Sequence, residues 1–180
     1  MKLDNTIQAM QLLGRNVVKE GRSILKKKKK TTKANTLYND FSYLVTAEQE
    51  SIKLTFDFGG ASEYWDFVDE GVRGAGGYKG KGKMRGQGSP FKFSNKMPPR
   101  GAIDRWIVSK PLKAGRDKQG KFIGRKSLAF LIQRAIYQRG LERTQFFTRP
   151  FTTQLKNQEN KILQAFADDL EVQLKQTFKD

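Results

Sequence analysis

Glu63, Asp66, Asp69 and Glu70 place four carboxylates within eight residues. Carboxylates at that density are what a hard cation or a general acid–base pair requires. On a helix, Glu63 and Asp66 (i, i+3) and Asp66 and Glu70 (i, i+4) share a face. The same spacing also describes a solvated acidic face, or one that pairs with a basic loop on another subunit. That plainer reading is the expectation here, and Asp168, Asp169 and Glu171 read the same way. The chain contains no cysteine and no histidine. This removes disulfide frameworks, Cys/His zinc centres and the Ser–His and Cys–His dyads of nucleophilic catalysis. No catalytic residue, metal ligand or cofactor is expected.

The second concentration of chemistry is cationic. Among 180 residues, 35 are Lys or Arg and 18 are Asp or Glu, a net charge of +17. The excess is local, because residues 71–126 hold 16 of the basic side chains and only 2 of the acidic ones. Within that stretch, 71–88 contains eight glycines together with Arg73, Lys79, Lys81, Lys83 and Arg85, and Lys92 follows shortly after. Gly77-Tyr78-Lys79-Gly80-Lys81 does not satisfy the G-x-x-x-x-G-K-[ST] phosphate-binding pattern, and no Ser or Thr follows where a P-loop needs one. Flexible cations of this kind suit a phosphate backbone, which they neutralise without demanding fixed geometry. The alternative is a solvated loop that orders at a protein interface. With so much glycine and no apolar periodicity, 71–88 is predicted to be a long mobile loop. Residues 111–124 form a second basic, glycine-containing loop.

The elements that must carry these segments are read from periodicity. Leu3, Met10, Val17 and Ile24 recur every seven residues, and Ile7, Leu13, Val18 and Leu25 widen the stripe. The spacing predicts a helix from about Asn5 to Lys27 with one apolar face, Asn5 as its cap and Gln8 completing a box. Gly14 and Gly21 lie beside the stripe and suggest close packing against another element. Five lysines, Lys26 to Lys30, end the helix in solvent or on an anion. Leu37 to Val45 and Ile52 to Phe58 read as two antiparallel strands, the second alternating strictly between apolar and polar. A short amphipathic helix, Glu63 to Glu70, follows. Phe91 and Phe93 mark a short strand, and Pro98 to Ser109 a helix. Arg125 to Arg139 is a helix closed by Gly140. Thr144 to Phe151 reads as extended around Pro150, with Phe146 and Phe147 in core or interface packing rather than stacking on bases. Thr153 to Phe178 is the last helix. No apolar run approaches the roughly 20 residues of a membrane span, and the N-terminus has no signal-peptide core. The expected architecture is one α+β domain of long helices on a small antiparallel sheet.

Two segments together resemble a known family. One is Tyr64-Trp65-Asp66-Phe67-Val68-Asp69-Glu70-Gly71-Val72-Arg73, which runs into the Gly/Lys loop. The other is Ala135-Ile136-Tyr137-Gln138-Arg139-Gly140-Leu141 continuing through Phe146-Phe147-Thr148-Arg149-Pro150-Phe151. Their order and spacing are similar to those of the tail-completion, or head–tail joining (neck), proteins of tailed bacteriophages. In this chain Glu70 directly precedes Gly71, and 111–124 reads as an insertion relative to that pattern. The resemblance implies a non-enzymatic virion component of the neck and tail region, assembled in the host cytoplasm. It implies a homo-oligomeric ring, six-fold in that family, with neighbouring neck and tail proteins as partners and DNA in the lumen. Arg73, Lys79, Lys81, Lys83, Arg85 and Lys92 would then contact DNA or a partner, and Tyr64, Trp65, Glu70, Arg149 and Phe151 would lie at subunit interfaces. Charge alone supports a different expectation: a nucleic-acid-binding module that holds phosphate backbones without sequence specificity.

Overall fold

The computed structural model describes residues 3–28, 36–48, 51–80, 82–109, 115–116 and 119–178. The fold is α+β. The chain divides into two compact units. Unit 1 comprises Met1–Asp69 and Thr144–Asp180, and unit 2 comprises Glu70–Arg143.

Unit 1 is built on two long helices, α1 (Asp4–Lys27) and α6 (Thr148–Thr177), packed against each other. The apolar stripe of α1 buries Leu13, Val17, Val18 and Leu25. Against it lies a hairpin of β1 (Ser42–Ala47) and β2 (Ile52–Asp57), registered Tyr43 to Phe56 and Val45 to Leu54. Those four side chains share one face, as period-2 alternation requires. The strand expected over Leu37 to Val45 is part helix. Thr36–Asp40 forms a short α2, which buries Leu37, and the strand proper begins at Ser42. Gly59–Ala61 then makes a 3-10 turn before α3 (Trp65–Glu70), which is shorter than the helix expected from Glu63.

The centre of unit 1 is aromatic. Phe41 stacks on Phe58 at 5.1 Å, and Phe58 stacks on Trp65 at 4.3 Å. Phe146 meets Phe41 edge-on at 5.6 Å, while Phe147 contacts Phe56, Phe58, Trp65 and Phe151. Offset and edge-on pairs of this kind add to the stability that burial already provides. Gly21 permits the close approach. A Cβ there would lie 2.6 Å from the Phe146 carbonyl oxygen and 2.7 Å from the Phe41 ring. Gly21→Ala should therefore destabilise unit 1 by about 1–2 kcal/mol net. Overpacking costs about 1–3 kcal/mol and exceeds the gain in helix propensity of up to about 1 kcal/mol. The shift of the urea midpoint checks this.

The two long helices are capped from a distance. Asn5 does not cap α1. The residue before α1 is Leu3, and no side chain next to it in sequence caps the helix. Asp169, buried on α6, accepts from Thr6 N at 2.8 Å, Thr6 Oγ1 at 2.7 Å and Asn5 N at 3.2 Å. This corrects the reading of Asp169 as part of a solvated face. Asp69 is fully buried and does the same for α6, accepting from Phe147 N at 2.8 Å, Thr148 N at 3.4 Å and the Thr148 hydroxyl. Residues 144–151 are accordingly not extended throughout. Pro150 falls in the first turn of α6, where a missing N–H forfeits no intrahelical bond.

Burial pushes the Asp169 carboxyl up, but the hydrogen bonds from Thr6 and Asn5 outweigh it and hold the group below its ordinary value of 3.8. A carboxyl lowered in the folded state adds stability that is complete above that ordinary value and lost as pH falls through the lower folded one. Asp169→Asn should therefore cost most stability at neutral pH. The gap from the parent protein should narrow below about pH 4, as read from melting temperature against pH.

Unit 2 holds α4 (Arg100–Ser109) and α5 (Arg125–Arg139), which pack through Ile103, Ile107 and Ala129. Arg125 pairs with Asp104 at 3.1 Å across the two helices. β3 (Val72–Arg73) pairs antiparallel with β4 (Gly140–Leu141). Gly140 closes α5 as expected, with φ 90° and its N–H donating to Ile136 O.

Candidate nucleic-acid interface

The basic segment is organised around Arg73. On one side its strand pairs with Gly140. On the other, Arg73 N donates to Phe91 O at 2.8 Å and Arg73 O accepts from Phe93 N at 2.9 Å, which makes Arg73 and Lys92 parallel bridge partners. The strand expected at Phe91–Phe93 is thus a single bridge, and it sets two of the candidate cations side by side.

The loop after Arg73 is anchored at intervals. Ala75 N donates to Tyr137 O at 2.8 Å, Gly76 N to Gln138 O at 3.2 Å and Arg85 N to Arg139 O at 2.8 Å. The Arg139 guanidinium donates to Lys83 O at 2.7 Å and lies 5.4 Å from the Tyr78 ring centroid. The Ser89 hydroxyl donates to Gly71 O at 2.7 Å. Two glycines make this possible. Gly86 (φ 66°) and Gly140 (φ 90°) both lie against backbone. A Cβ on Gly86 would sit 2.8 Å from Arg73 N, and one on Gly140 would sit 2.6 Å from Gly74 N. The expectation of a mobile loop rests on the glycine content and the lack of apolar periodicity. Backbone hydrogen bonds at Ala75, Gly76 and Arg85 are a feature that composition cannot reveal.

On this frame the side chains of Arg73, Lys79, Lys83, Arg85 and Lys92 are all exposed. None of the five has an acidic partner among the described residues. Lys81 lies outside the described residues, as do Lys29, Lys30 and much of the second basic loop. In the described part of that loop, Arg116 covers the Phe122 ring at 4.0 Å and donates to Gly120 O at 2.8 Å. Unit 2 as a whole carries 19 basic and 4 acidic residues, net +15, against +2 for unit 1. Arg134, Arg139 and Arg143 extend the charge beyond the segment that composition marks. The signal for Arg139 was its position at a helix end just before a capping glycine. Charge of this density on exposed loops attracts a polyanion and is screened by salt.

The acidic cluster does not assemble as a site. Asp69 is turned inward and occupied by the α6 N-terminus. Glu70 pairs with Arg143 at 2.5 Å, within the chain, and Asp66 accepts from Phe67 N at 2.8 Å. No group of three or more acidic side chains among the described residues is placed to hold a metal ion. Of the interface candidates, Trp65 and Phe151 are packed into the aromatic core, whereas Tyr64 and Arg149 are exposed. Among the described residues no helix is long and apolar enough to cross a membrane. The class these features define is a small α+β protein with one nearly neutral unit and one strongly cationic unit. No family model, curated protein or solved structure matches the chain.

Proposed function

We propose that the chain is a non-enzymatic structural protein of a tailed-phage virion, forming a ring at the neck–tail junction in tail completion or head–tail joining. In this reading unit 1 is the rigid body. Unit 2 presents Arg73, Lys79, Lys83, Arg85 and Lys92 to the DNA that passes the junction, or to an adjoining neck or tail protein. Backbone contacts of this kind position a polyanion and carry no sequence information. The observation that carries the reading is the gathering of net +15 into unit 2, on loops fixed by backbone hydrogen bonds. The paired motifs at 64–73 and 135–151 support it.

Light scattering and negative-stain electron microscopy of the purified full-length chain test the proposal. Ring-shaped homo-oligomers are expected, six-fold if the resemblance extends that far. A protein that stays monomeric at every concentration and never co-purifies with virions overturns it. The same charge supports a second reading, a basic module that binds nucleic-acid backbones on its own. That reading requires tight, salt-sensitive binding by the monomer, whereas in a ring the avidity comes from many weak sites acting together.

A further inference from the structure

A second cationic feature lies in unit 1 and is independent of the loops of unit 2. Arg15, Lys19, Arg22 and Lys26 follow one another on α1 at intervals of four, three and four residues. At 1.5 Å per residue this is a ladder about 16 Å long on one helix face. With Val18, Ser23, Tyr38 and Tyr43 they line a groove of about 460 Å³ between α1, α2 and β1. No acidic side chain lines it, and none of Arg15, Lys19, Arg22 and Lys26 forms an ion pair among the described residues.

Arg22 is already oriented. Its Nη2 donates to Asn39 O and Phe41 O, each at 3.0 Å, and its guanidinium lies 6.0 Å from the Tyr38 ring centroid. Its Nε–H is buried without an acceptor among the described residues. A buried donor left unmet is a cost that a nearby acceptor would remove. A smaller hollow continues the groove along α1. There Gln154 donates to the Glu20 carboxylate, the one acid that lines this hollow beside Lys19.

The floor decides which anion fits. Val18, Tyr38 and Tyr43 are apolar or aromatic, and the long cationic stems add further apolar surface beneath their charged heads. An apolar floor with tyrosines, rimmed by charge that includes arginine, is the anatomy of a protein-binding hot spot. Phosphates make no use of such a floor, on which only unpaired bases could stack, and the exposed loops of unit 2 suit a phosphate backbone better. An acidic helix repeats its carboxylates at the same four-three-four spacing as the ladder. We infer that the α1 groove is a docking site for an acidic amphipathic segment of a protein partner. The segment places one apolar side chain against Val18, Tyr38 and Tyr43 and its carboxylates against Arg15, Lys19, Arg22 and Lys26.

The test uses the full-length chain and a dye-labelled, end-capped helical peptide, Ala-Ala-Glu-Leu-Ala-Gln-Asp-Leu-Ala-Glu-Phe-Ala-Gln-Asp-Leu-Ala, as a probe with its four acids at the four-three-four spacing and an adjacent apolar stripe. Its acids are changed to Gln and Asn in a matched control, and an unlabelled single-stranded DNA decamer serves as competitor. Fluorescence anisotropy should show saturable binding of the acidic peptide, weaker by about tenfold or more for the neutral control. The double variant Lys19→Glu, Lys26→Glu should lose at least about tenfold, with Lys19→Ala, Lys26→Ala intermediate. Both positions are exposed, and matched circular dichroism melts check folding. Lys79→Ala, Lys83→Ala, Arg85→Ala in unit 2 should leave peptide affinity unchanged, so failure here leaves the reading of unit 2 untouched. The inference is overturned by no binding, by equal binding of the neutral peptide, or by a loss confined to the unit 2 variant. It is also overturned if the α1 substitutions weaken DNA binding but not peptide binding, which would assign the groove to nucleic acid. Self-association abolished by the same substitutions would assign it to a second copy, and overturns it equally.

Discussion

Asp69→Ala is expected to lower the melting temperature by roughly 6–12 °C, the largest single-residue effect in unit 1. The carboxylate is fully buried and takes the donors that open α6: Phe147 N, Thr148 N and the Thr148 hydroxyl. Loss of a helix cap costs about 1 kcal/mol. The donors stranded by the truncation add about 1–3 kcal/mol. A total near 3 kcal/mol converts at about 2–4 °C per kcal/mol for a chain of this size. The consequence extends beyond one helix, because Asp69 fixes the start of α6 and α6 carries Asp169, which caps α1. Asp69→Asn keeps the shape and an acceptor but loses the favourable charge at the helix N-terminus, so it should fall between the parent protein and the alanine variant. Melting followed by circular dichroism at neutral pH measures all three. An alanine variant that melts within about 2 °C of the parent would remove the cap from its central role.

Both remote caps mark the limit of what local sequence patterns reveal. Asn5 and Gln8 have the spacing of a cap, and nothing nearby in sequence points to Asp169. The true partner lies 163 residues from Thr6. Asp69 was hidden in a similar way, because three neighbouring acids made it look like one member of a solvated face. Periodicity was dependable where burial set the pattern, in the α1 stripe and the alternation of β2; the helix over Arg125 to Arg139 closed by Gly140 has the expected bounds, but Leu131, inward by its spacing, is exposed. The small residues Gly14 and Gly21 correctly signalled close packing, since Tyr43 lies against the first and Phe41 and the Phe146 carbonyl against the second. Pro150 misled because the sequence does not show where a helix begins, and in a first turn proline ends nothing. The α1 groove was half legible. The ladder of cations can be counted along the helix, but Tyr38 and Tyr43 reach it only through a turn of helix and a strand edge.

The cations of unit 2 support a prediction larger than any of these. Changing Lys79, Lys83, Arg85 and Lys92 together to alanine should weaken binding of the full-length chain to duplex DNA by about 10³–10⁴-fold at 0.1 M salt. Each phosphate neutralised on duplex DNA contributes about 0.9 to the slope of log affinity against log salt. Four lost contacts therefore remove about 3.6 from that slope, and at 0.1 M this is between three and four decades of affinity. The substitutions leave the frame intact, because the bonds that tether the loop run through backbone groups and through the side chains of Ser89 and Arg139. The effect should not depend on DNA sequence, since exposed flexible cations follow phosphates rather than base edges. Lys19→Glu, Lys26→Glu serves as the counterpart in unit 1 and should leave the slope within about one unit of the parent. A salt titration of DNA binding by fluorescence anisotropy, run on two unrelated duplexes, separates the outcomes. An unchanged slope in the fourfold variant would mean that the unit 2 cations face protein, and the neck–tail reading would then have to place the DNA against another surface of the chain.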